Sequence, residues 1–411
     1  MAIPNIVINK INYTKILRDL LTDNSNNIEE KLKQEISSLT EINDKKIILL
    51  GRARSAIYLS VKNSISQKKK KLVLMSPFTI PEVIELVIHA GGIPYFVDFY
   101  KDSTFFDLDY LKDSIKLNPT AIIITHYNLN QKNYSEIHKL CENNNIDLIE
   151  DSAISFSGKV ENININSLSD YSLYSFSTFK LINFFYGGAL LVKNKNINKI
   201  KQLMQNWNFL KFQNYKSQIY RTILYSILTN KYFYKTFTIN YLKIKDRFKT
   251  GDLNIIENKL KIEKNLIDET YFSLLPIYGV SELHRKIGNY PYERANRQKI
   301  AYQYYTSLKE ITAGASFDIE NLIRSSDNFS YMIICKDRKH KINLKKKLLM
   351  KNLNVGSQMY PNCSLLNKYS LFNGKTANLN NLVDKMLILP THSKLNNEYV
   401  QNLIHEIKKN Y

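Results

Sequence analysis

Three places in the sequence combine a charged side chain with hydroxyl groups after an apolar run. Lys180 closes "YSLYSFSTFK" and lies five residues after Ser175. Asp151 closes "IDLIED", and Arg54 and Ser55 follow shortly after "KIILLG". An amine held in a pocket can act as a nucleophile or base, and a buried carboxylate can keep a ring nitrogen protonated. A helix start with a hydroxyl and a guanidinium can bind phosphate.

Each of these signals has a common structural alternative. A lone lysine in a loop is solvated far more often than it is catalytic, and Ser55 is equally a helix N-cap. Asp151 is equally a capping or loop residue. Glu150 precedes Asp151, and because adjacent strand residues point to opposite faces, the two carboxylates cannot serve one pocket. The order of the three places along the chain is more informative than any one of them.

The three places fit the ends of strands in an alternating α/β domain. Several apolar runs are continuous, which is typical of strands buried on both faces of a parallel sheet. Helical patterns at 55–65, 81–90 and 134–144 separate them, and ligands bind beyond the carboxyl ends of such strands. We predict a large domain with a mostly parallel, seven-stranded sheet covered by helices, with strands at 46–51, 71–76, 93–99, 121–126, 146–151, 171–176 and 187–193.

The remaining chain divides into two further parts. Residues of roughly 200–262 are basic, aromatic and helical in pattern, which indicates an inserted helical subdomain. Such a helix can lie on a membrane surface, but packing against the protein body is the commoner fate and is what we expect. Later, helix and strand patterns alternate again and predict a smaller C-terminal α/β domain. The predicted parts are therefore 1–199, 200–262 and 263–411.

The composition is that of an ordinary globular protein with a large basic surplus. The chain contains 58 Lys and Arg and 37 Asp and Glu, which gives a net charge of +21. A surplus of this size favours anionic partners, but Lys, Asn and Ile are frequent throughout, and we give this compositional drift more weight than a binding role. A basic, non-catalytic protein that binds nucleic acid or acidic lipid stays open as an alternative.

Several classes of protein are disfavoured by the sequence. The three cysteines are far apart and the histidines lack ligand spacing, so neither a disulfide framework nor a metal site is predicted. No basic leader with an apolar run opens the chain, and no window is apolar enough to span a membrane, so we expect a cytoplasmic protein. The sequence contains no GxGxxG, Walker A or GxSxG motif.

The ordered set of motifs resembles the DegT/DnrJ/StrS sugar aminotransferases, which are pyridoxal phosphate (PLP) enzymes of the aspartate-aminotransferase fold. The similar stretches run in family order over most of the chain outside 200–262. They are "GRARSAIYL" (51–59), "MSPFTIPEVIELVIHAGGIPYFVDF" (75–99), "IIITHY" (122–127), "LIEDSA" (148–153), "SFSTFK" with "GGALLV" (175–192) and "LILPTHSKLNNEYVQNLIHEI" (387–407).

The resemblance assigns roles to five residues. Lys180 matches the lysine that forms a Schiff base with PLP, and Asp151 matches the aspartate that pairs with the pyridine nitrogen. Ser175, Ser55 and Arg54 match positions that hold the cofactor phosphate. Bound PLP would supply an electron sink. Lys180 would then move a proton as a free amine, which requires surroundings that lower its pKa.

The sequence departs from the family pattern at several of the matching positions. Ile80 stands where an aromatic residue often stacks on the cofactor ring. Ile154 stands where Gln or His is usual near the ring hydroxyl. Phe185-Tyr186 replaces Gly-Glu before the double glycine, and the family's Asn-Tyr-Arg signature is not evident. Ile80 and Ile154 are nevertheless predicted to contact the cofactor.

The resemblance also implies substrates and assembly. The amino donor would be glutamate, the acceptor a nucleotide-linked keto sugar, and the protein a homodimer without nucleic-acid partners. The pathway would be surface polysaccharide or amino-sugar biosynthesis. A PLP-dependent deoxygenase, a dehydratase or a member without activity remains an alternative, although dehydratase relatives replace the lysine with histidine, and Lys180 argues against that.

Overall fold

All seven predicted strands lie in one large sheet. The computed structural model describes residues 2–8, 11–12, 14–16, 19, 25–248, 267–276, 278–372, 374 and 376–411. The strands are β1 Lys45–Leu50, β2 Leu72–Met75, β3 Ile93–Phe96, β4 Ala121–Thr125, β5 Asp147–Ser152, β6 Lys159–Val160, β7 Ile163–Asn164, β8 Tyr171–Ser175, β9 Gly188–Lys193, β10 Asn208–Phe209, β11 Ser273–Leu274, β12 Ser330–Ile334 and β13 Met386–Pro390.

The large sheet has nine strands in the order β10-β11-β1-β9-β8-β5-β4-β2-β3. Strands β3, β2, β4, β5 and β8 are parallel neighbours, and β9 runs antiparallel to both β8 and β1. The predicted count of seven was therefore too low. The two additional strands, β10 and β11, are two residues long, too short to produce an apolar period.

Helices cover the sheet and alternate with its strands, as the patterns predict. The helices are Ser25–Thr40, Ser55–Lys68, Pro81–His89, Leu108–Ile115, Tyr134–Asn143, Ile197–Leu203, Phe212–Leu228, Lys231–Phe233, Ile239–Phe248, Val280–Gly288, Tyr290–Leu308, Glu320–Ser325, Arg338–Met350, Ala377–Lys385 and Asn397–Asn410. A π-helical turn, Tyr234–Thr238, joins two of them, and short 3-10 turns occupy Asn194–Asn196, Glu269–Tyr271, Lys309–Ile311, Cys363–Leu365 and Asn367–Phe372.

The predicted helical insertion leaves and rejoins one edge of the sheet. Its described helices lie between β10 and β11, which pair with each other in parallel. We call residues 212–248 the basic helical segment. Residues 249–262 of the predicted insertion lie outside the described residues, and the boundaries 1–199, 200–262 and 263–411 stay predictions.

The C-terminal part contains a small antiparallel sheet of β12 and β13, with Ser330 opposite Pro390 and Ile334 opposite Met386. The helices Tyr290–Leu308, Arg338–Met350 and Asn397–Asn410 pack around it. Its core is continuous with one face of the large sheet, since buried residues of both belong to the same apolar cluster. The small α/β part therefore packs directly against the large sheet.

Gly188 sets how closely the start of the helix Ser55–Lys68 approaches the sheet. A Cβ atom on Gly188 would lie 2.6 Å from the carbonyl oxygen of Tyr174 and closer still to Ala53. Both contacts involve atoms that cannot move without shifting the backbone. The glycine at the start of β9 is therefore required for this packing, and the preceding Gly187 has a φ of +99°.

We expect Gly188→Ala to destabilise the protein by about 1–3 kcal/mol, because an overpacked methyl group must displace the Ala53 backbone. Urea unfolding monitored by circular dichroism measures this free energy. The control is Gly288→Ala, where the new Cβ meets only the flexible side chain of Glu35, at 2.9 Å. Equal stability of both variants with the wild type would contradict the expected packing.

Candidate active site

The ends of β5 and β8 and the loop after β8 enclose a small cavity. Asp151 and Leu173 are partners in the register of β5 and β8, and Lys180 follows at the end of the loop. The cavity has a volume of about 50 Å³. It brings together five of the predicted site residues, namely Arg54, Ile80, Asp151, Ser175 and Lys180.

Asp151 is a buried carboxylate on the cavity side of β5. It is only 7% exposed, and its Oδ1 accepts a hydrogen bond of 3.0 Å from the N–H of Ala153. Burial raises the pKa of Asp151, whereas the positive charge of Lys180 opposes this rise. The carboxylate therefore occupies a site where a nearby cation stabilises its ionised form.

Glu150 points to the opposite face of β5, as strand alternation predicts. Its carboxylate contacts His126 Nε2 at 2.6 Å and accepts a hydrogen bond of 2.6 Å from the hydroxyl of Tyr134. His126 Nδ1 accepts the N–H of Gln131 at 3.1 Å, so the proton between His126 and Glu150 belongs to Nε2. His126 thus has a structural hydrogen-bonding role.

Lys180 is held at the cavity by a tight turn. Its backbone N–H donates to the carbonyl of Ser177 at 3.1 Å, and its Nζ lies 5.9 Å from the ring centre of Tyr360. Burial lowers the pKa of Lys180 to about 8, while Asp151 acts in the opposite direction. Lys180 thus differs from an ordinary solvated loop lysine, because its lowered pKa makes the unprotonated amine more accessible near neutral pH.

The start of the helix Ser55–Lys68 borders the same cavity through Arg54. Arg54 Nη1 donates to Glu82 Oε1 at 2.9 Å and to the hydroxyl of Tyr271 at 3.1 Å. Ser55 is fully buried, and its hydroxyl donates to the carbonyl of Tyr271, away from the cavity lining. Ser55 and Arg54 as phosphate ligands stay predictions, and the Ser55 hydroxyl already has a protein partner.

A larger cavity of about 350 Å³ meets the small one at Lys180. Ile80 borders both cavities and Ile154 borders the larger one, so both isoleucines lie within the site region. Phe179 also lines the larger cavity. Phe184, four residues after Lys180, packs against Phe185, with ring centres 4.8 Å apart.

Tyr360 and Arg297 were missed by the sequence reasoning. Both line the larger cavity from the C-terminal part. Arg297 is buried and donates to the carbonyl of Phe329 at 2.8 Å and to the hydroxyl of Thr391 at 3.1 Å. Neither residue has a local sequence signal, because each stands in a stretch remote from the strand ends of the large sheet.

A third cavity, of about 210 Å³, also borders residues 176–180, which we call the lysine loop. Its lining includes Ser175 at the end of β8, Ser177 from the loop, Arg52 and Arg54 before the helix Ser55–Lys68, and Arg221 from the basic helical segment. The cavity is therefore electropositive. Within the described ranges, no group of His, Cys, Asp and Glu residues could hold a metal ion.

Together, fold and site define a large α/β protein in which a lysine and a buried aspartate line one cavity at the carboxyl edge of a mostly parallel sheet. This chain belongs to the DegT/DnrJ/EryC1/StrS aminotransferase family, whose model matches residues 14–231 and 283–408. The match spans both the lysine loop and the C-terminal part. It stops within the basic helical segment and resumes in the helix Val280–Gly288.

Curated relatives share part of the sequence. A UDP-4-amino-4,6-dideoxy-N-acetyl-beta-L-altrosamine transaminase from Campylobacter jejuni is 29% identical over 194 residues, 46% of this chain and 50% of that protein. The lipopolysaccharide biosynthesis protein RfbH from Salmonella typhimurium is 27% identical over 127 residues, 31% of this chain and 29% of that protein. The chain thus aligns with half or less of the length of these relatives.

Solved structures share the whole fold. The Helicobacter pylori protein PseC, an aminotransferase involved in the biosynthesis of pseudoaminic acid, superimposes with a TM-score of 0.73 at 15% identity. That superposition covers 100% of this chain and 99% of PseC. The PLP-form of Spr1654 from Streptococcus pneumoniae gives a TM-score of 0.70 at 16% identity, covering 100% and 98%. At these identities the likeness establishes the fold.

We expect Asp151→Asn to lower the pKa of Lys180 further below about 8, by roughly one pH unit, because the carboxylate that stabilises the ammonium form is lost. Titration of the ¹³C-dimethylated apo protein by NMR measures this pKa, and loss of the resonance in Lys180→Arg assigns it. The control is Asp170→Asn, which removes a partner of Lys193 and Lys195 instead. An unchanged Lys180 titration in Asp151→Asn would refute the coupling.

The same titration tests the role of Tyr360, for which the expected shift in the pKa of Lys180 has the opposite sign. Tyr360→Ala admits water to the amine, so the pKa of Lys180 should rise toward its ordinary value of 10.5. Tyr360→Phe keeps the ring and should leave the titration unchanged. A rise in both variants would show that the ring does not act by excluding water.

Proposed function

We propose that this protein is a PLP-dependent aminotransferase that transfers an amino group from glutamate to a nucleotide-linked keto sugar. The single observation that supports it most is that Lys180 and Asp151 line one small cavity in a family member. The curated relatives named as sugar transaminases support the choice of acceptor. Surface polysaccharide or amino-sugar biosynthesis is the pathway class that follows.

The residues present fit PLP. A nearby positive charge stabilises the ionised form of the buried Asp151 carboxylate, and the protonated pyridine nitrogen of PLP carries such a charge. Lys180 supplies an amine, and Ser175, with the helix start near Arg54, supplies donors for a phosphate. The isoleucines at 80 and 154 offer apolar contact to a ring, in place of the aromatic and polar side chains usual in the family.

PLP, when bound, supplies an electron sink for the carbon that gains or loses the amino group. The buried carboxylate of Asp151 would hold the ring nitrogen protonated. Lys180 would accept and return the proton at that carbon, and its lowered pKa makes the amine more available as a base near neutral pH. Tyr360 and Ile80 exclude water from the amine.

The charges around the cavities suit anionic substrates. Arg297 places a buried cation at the larger cavity, where it would attract a carboxylate of glutamate. Arg52, Arg54 and Arg221 border the third cavity, which suits the diphosphate of a sugar nucleotide. A homodimer and a cytoplasmic location are implied by the family resemblance and belong to this proposal.

We expect the protein purified with PLP to show a visible absorption band that borohydride abolishes, and we expect Lys180→Ala to lack it, because the band requires the lysine amine. Glutamate should convert the wild-type band. Amino transfer in Lys180→Ala should fall by at least about a hundredfold, since the group that moves the proton is missing. Lys211→Ala, which changes an exposed lysine 31 residues further along the chain, is the control.

Two results would count against the proposal. Absence of any PLP band in the wild type would favour a degenerate or anion-binding protein. A normal band that glutamate leaves unchanged would keep PLP but replace transamination with another chemistry of the fold.

We further expect Arg221→Gln to raise the KM for the sugar nucleotide by about tenfold with little effect on glutamate, because one charged hydrogen bond to a phosphate is lost. Steady-state kinetics with each substrate varied separately measures this difference. Lys216→Gln lies on the same helix outside the arginine-lined cavity and should leave both constants unchanged. An equal rise in the KM for glutamate would show that Arg221 does not act through the diphosphate.

A further inference from the structure

The basic helical segment is attached to the protein body by one face only. Tyr215 and Thr222 are buried on the inner side of the helix Phe212–Leu228, and Tyr234 and Ile239 are buried further along. The hydroxyls of Thr222 and Thr178 lie 2.7 Å apart. The far end reaches the C-terminal part, where Asn354 donates to the hydroxyl of Tyr234 at 2.8 Å.

The outer face of the same segment is apolar and exposed. Tyr220, Leu224 and Ile227 follow one another at spacings of four and three residues, which places them on one side of their helix. Phe233, Phe237, Tyr241 and Ile244 continue with spacings of four, four and three residues. Nine apolar or aromatic side chains of the segment are 37–77% exposed: Phe212, Tyr220, Leu224, Ile227, Tyr232, Phe233, Phe237, Tyr241 and Ile244.

The segment that carries this face is basic. Residues 211–248 contain eight Lys and Arg and one Asp, so this stretch carries +7 of the net charge of +21. Five of these cations are exposed on or beside the segment, namely Lys211, Lys216, Arg221, Lys231 and Lys235. An even spread of +21 over 411 residues would give these 38 residues about +2, so the stretch carries more than three times its share of the charge.

We propose that the basic helical segment docks on an anionic lipid surface. Aromatic and aliphatic side chains in helical stripes, flanked by Lys and Arg, are the pattern of helices that lie in the headgroup region of a membrane. The positive charge complements acidic headgroups. None of the helices that the structure describes is long and apolar enough to cross a bilayer.

Two other occupants fit the face less well. A second copy meeting it through two-fold symmetry would bring the same exposed cations against one another without an acidic partner. Nucleic acid would match the charge and the aromatic rings, but Leu224, Ile227 and Ile244 gain nothing from phosphates or base stacking. Aliphatic groups gain free energy from entering hydrocarbon, which favours lipid.

Docking there would place the lipid surface next to the lysine loop. The ring of Tyr225 contacts that of Phe179 with centres 4.8 Å apart, and Phe179 precedes Lys180. The segment therefore contacts Phe179, which lines the larger cavity beside Lys180. The inference goes beyond the proposed aminotransferase activity and does not depend on it.

The test is co-sedimentation of the protein, purified with PLP, with phosphatidylglycerol vesicles or with phosphatidylcholine vesicles. We expect binding to the anionic vesicles only, and release at an ionic strength of about 0.5 M, since headgroup attraction is screened. Combined Tyr232→Ser, Phe237→Ser and Tyr241→Ser should weaken binding by about tenfold or more, because three aromatic rings no longer enter the lipid surface.

The matched control replaces three equally exposed apolar side chains elsewhere. Tyr292, Leu365 and Leu371 are 62–91% exposed, and their combined change to Ser should leave vesicle binding intact. Two double variants test the contribution of charge. Combined Lys231→Gln and Lys235→Gln should reduce vesicle binding, whereas combined Lys101→Gln and Lys139→Gln, which lie outside the segment, should not. Circular dichroism of each variant shows that it is folded.

Four results would overturn the proposal: no sedimentation with phosphatidylglycerol, equal binding to phosphatidylcholine, unchanged binding of the triple aromatic variant, or equal loss in its control. Binding of single-stranded DNA without vesicle binding would assign the face to nucleic acid. If sedimentation velocity shows that the triple variant loses an oligomer while vesicle binding is unchanged, the face is an interface between copies of the chain.

Discussion

The removal of one amine and one carboxylate from water is the constraint on which the rest of the site depends. Burial disfavours the charged form of both groups, so it lowers the pKa of Lys180 and raises that of Asp151. Each charge partly offsets the cost of the other. Because this balance requires a dry cavity, the surrounding elements must close it from several directions.

Three parts of the chain provide that closure. Strand β5 presents Asp151 to the cavity and directs Glu150 to His126 on the other face. The close approach permitted by Gly188 brings the helix start beside β8. Tyr360 covers the amine from the C-terminal part. The site is thus shared between the large sheet and the smaller α/β part, and motion between them would change the polarity around Lys180.

The basic helical segment connects the same two parts on the outside. One face contacts the lysine loop through Thr222 and the C-terminal part through Tyr234. The sequence favoured packing against the protein body, and the inner face does pack in this way. The outer face remains exposed because the segment is only one helix layer thick, and a single layer cannot bury two apolar faces.

The sequence by itself determined the elements and the order of the chemical groups. Continuous apolar runs predicted seven strands of the sheet, and their ends located Asp151 and Lys180, because these signals are encoded within a few neighbouring residues. The resemblance to a family added the fold and the expected cofactor. The two-residue strands β10 and β11 escaped prediction, since so short a pairing is set by the edge strand it meets.

Only the tertiary structure decided which distant side chains complete the site. Tyr360, Arg297 and Arg221 reach the cavities from separate parts of the chain, and no local pattern marks them. The structure also turned the Ser55 hydroxyl toward the carbonyl of Tyr271. Periodicity fixes the face of an element on which a residue lies, whereas its neighbours across space depend on how the elements pack.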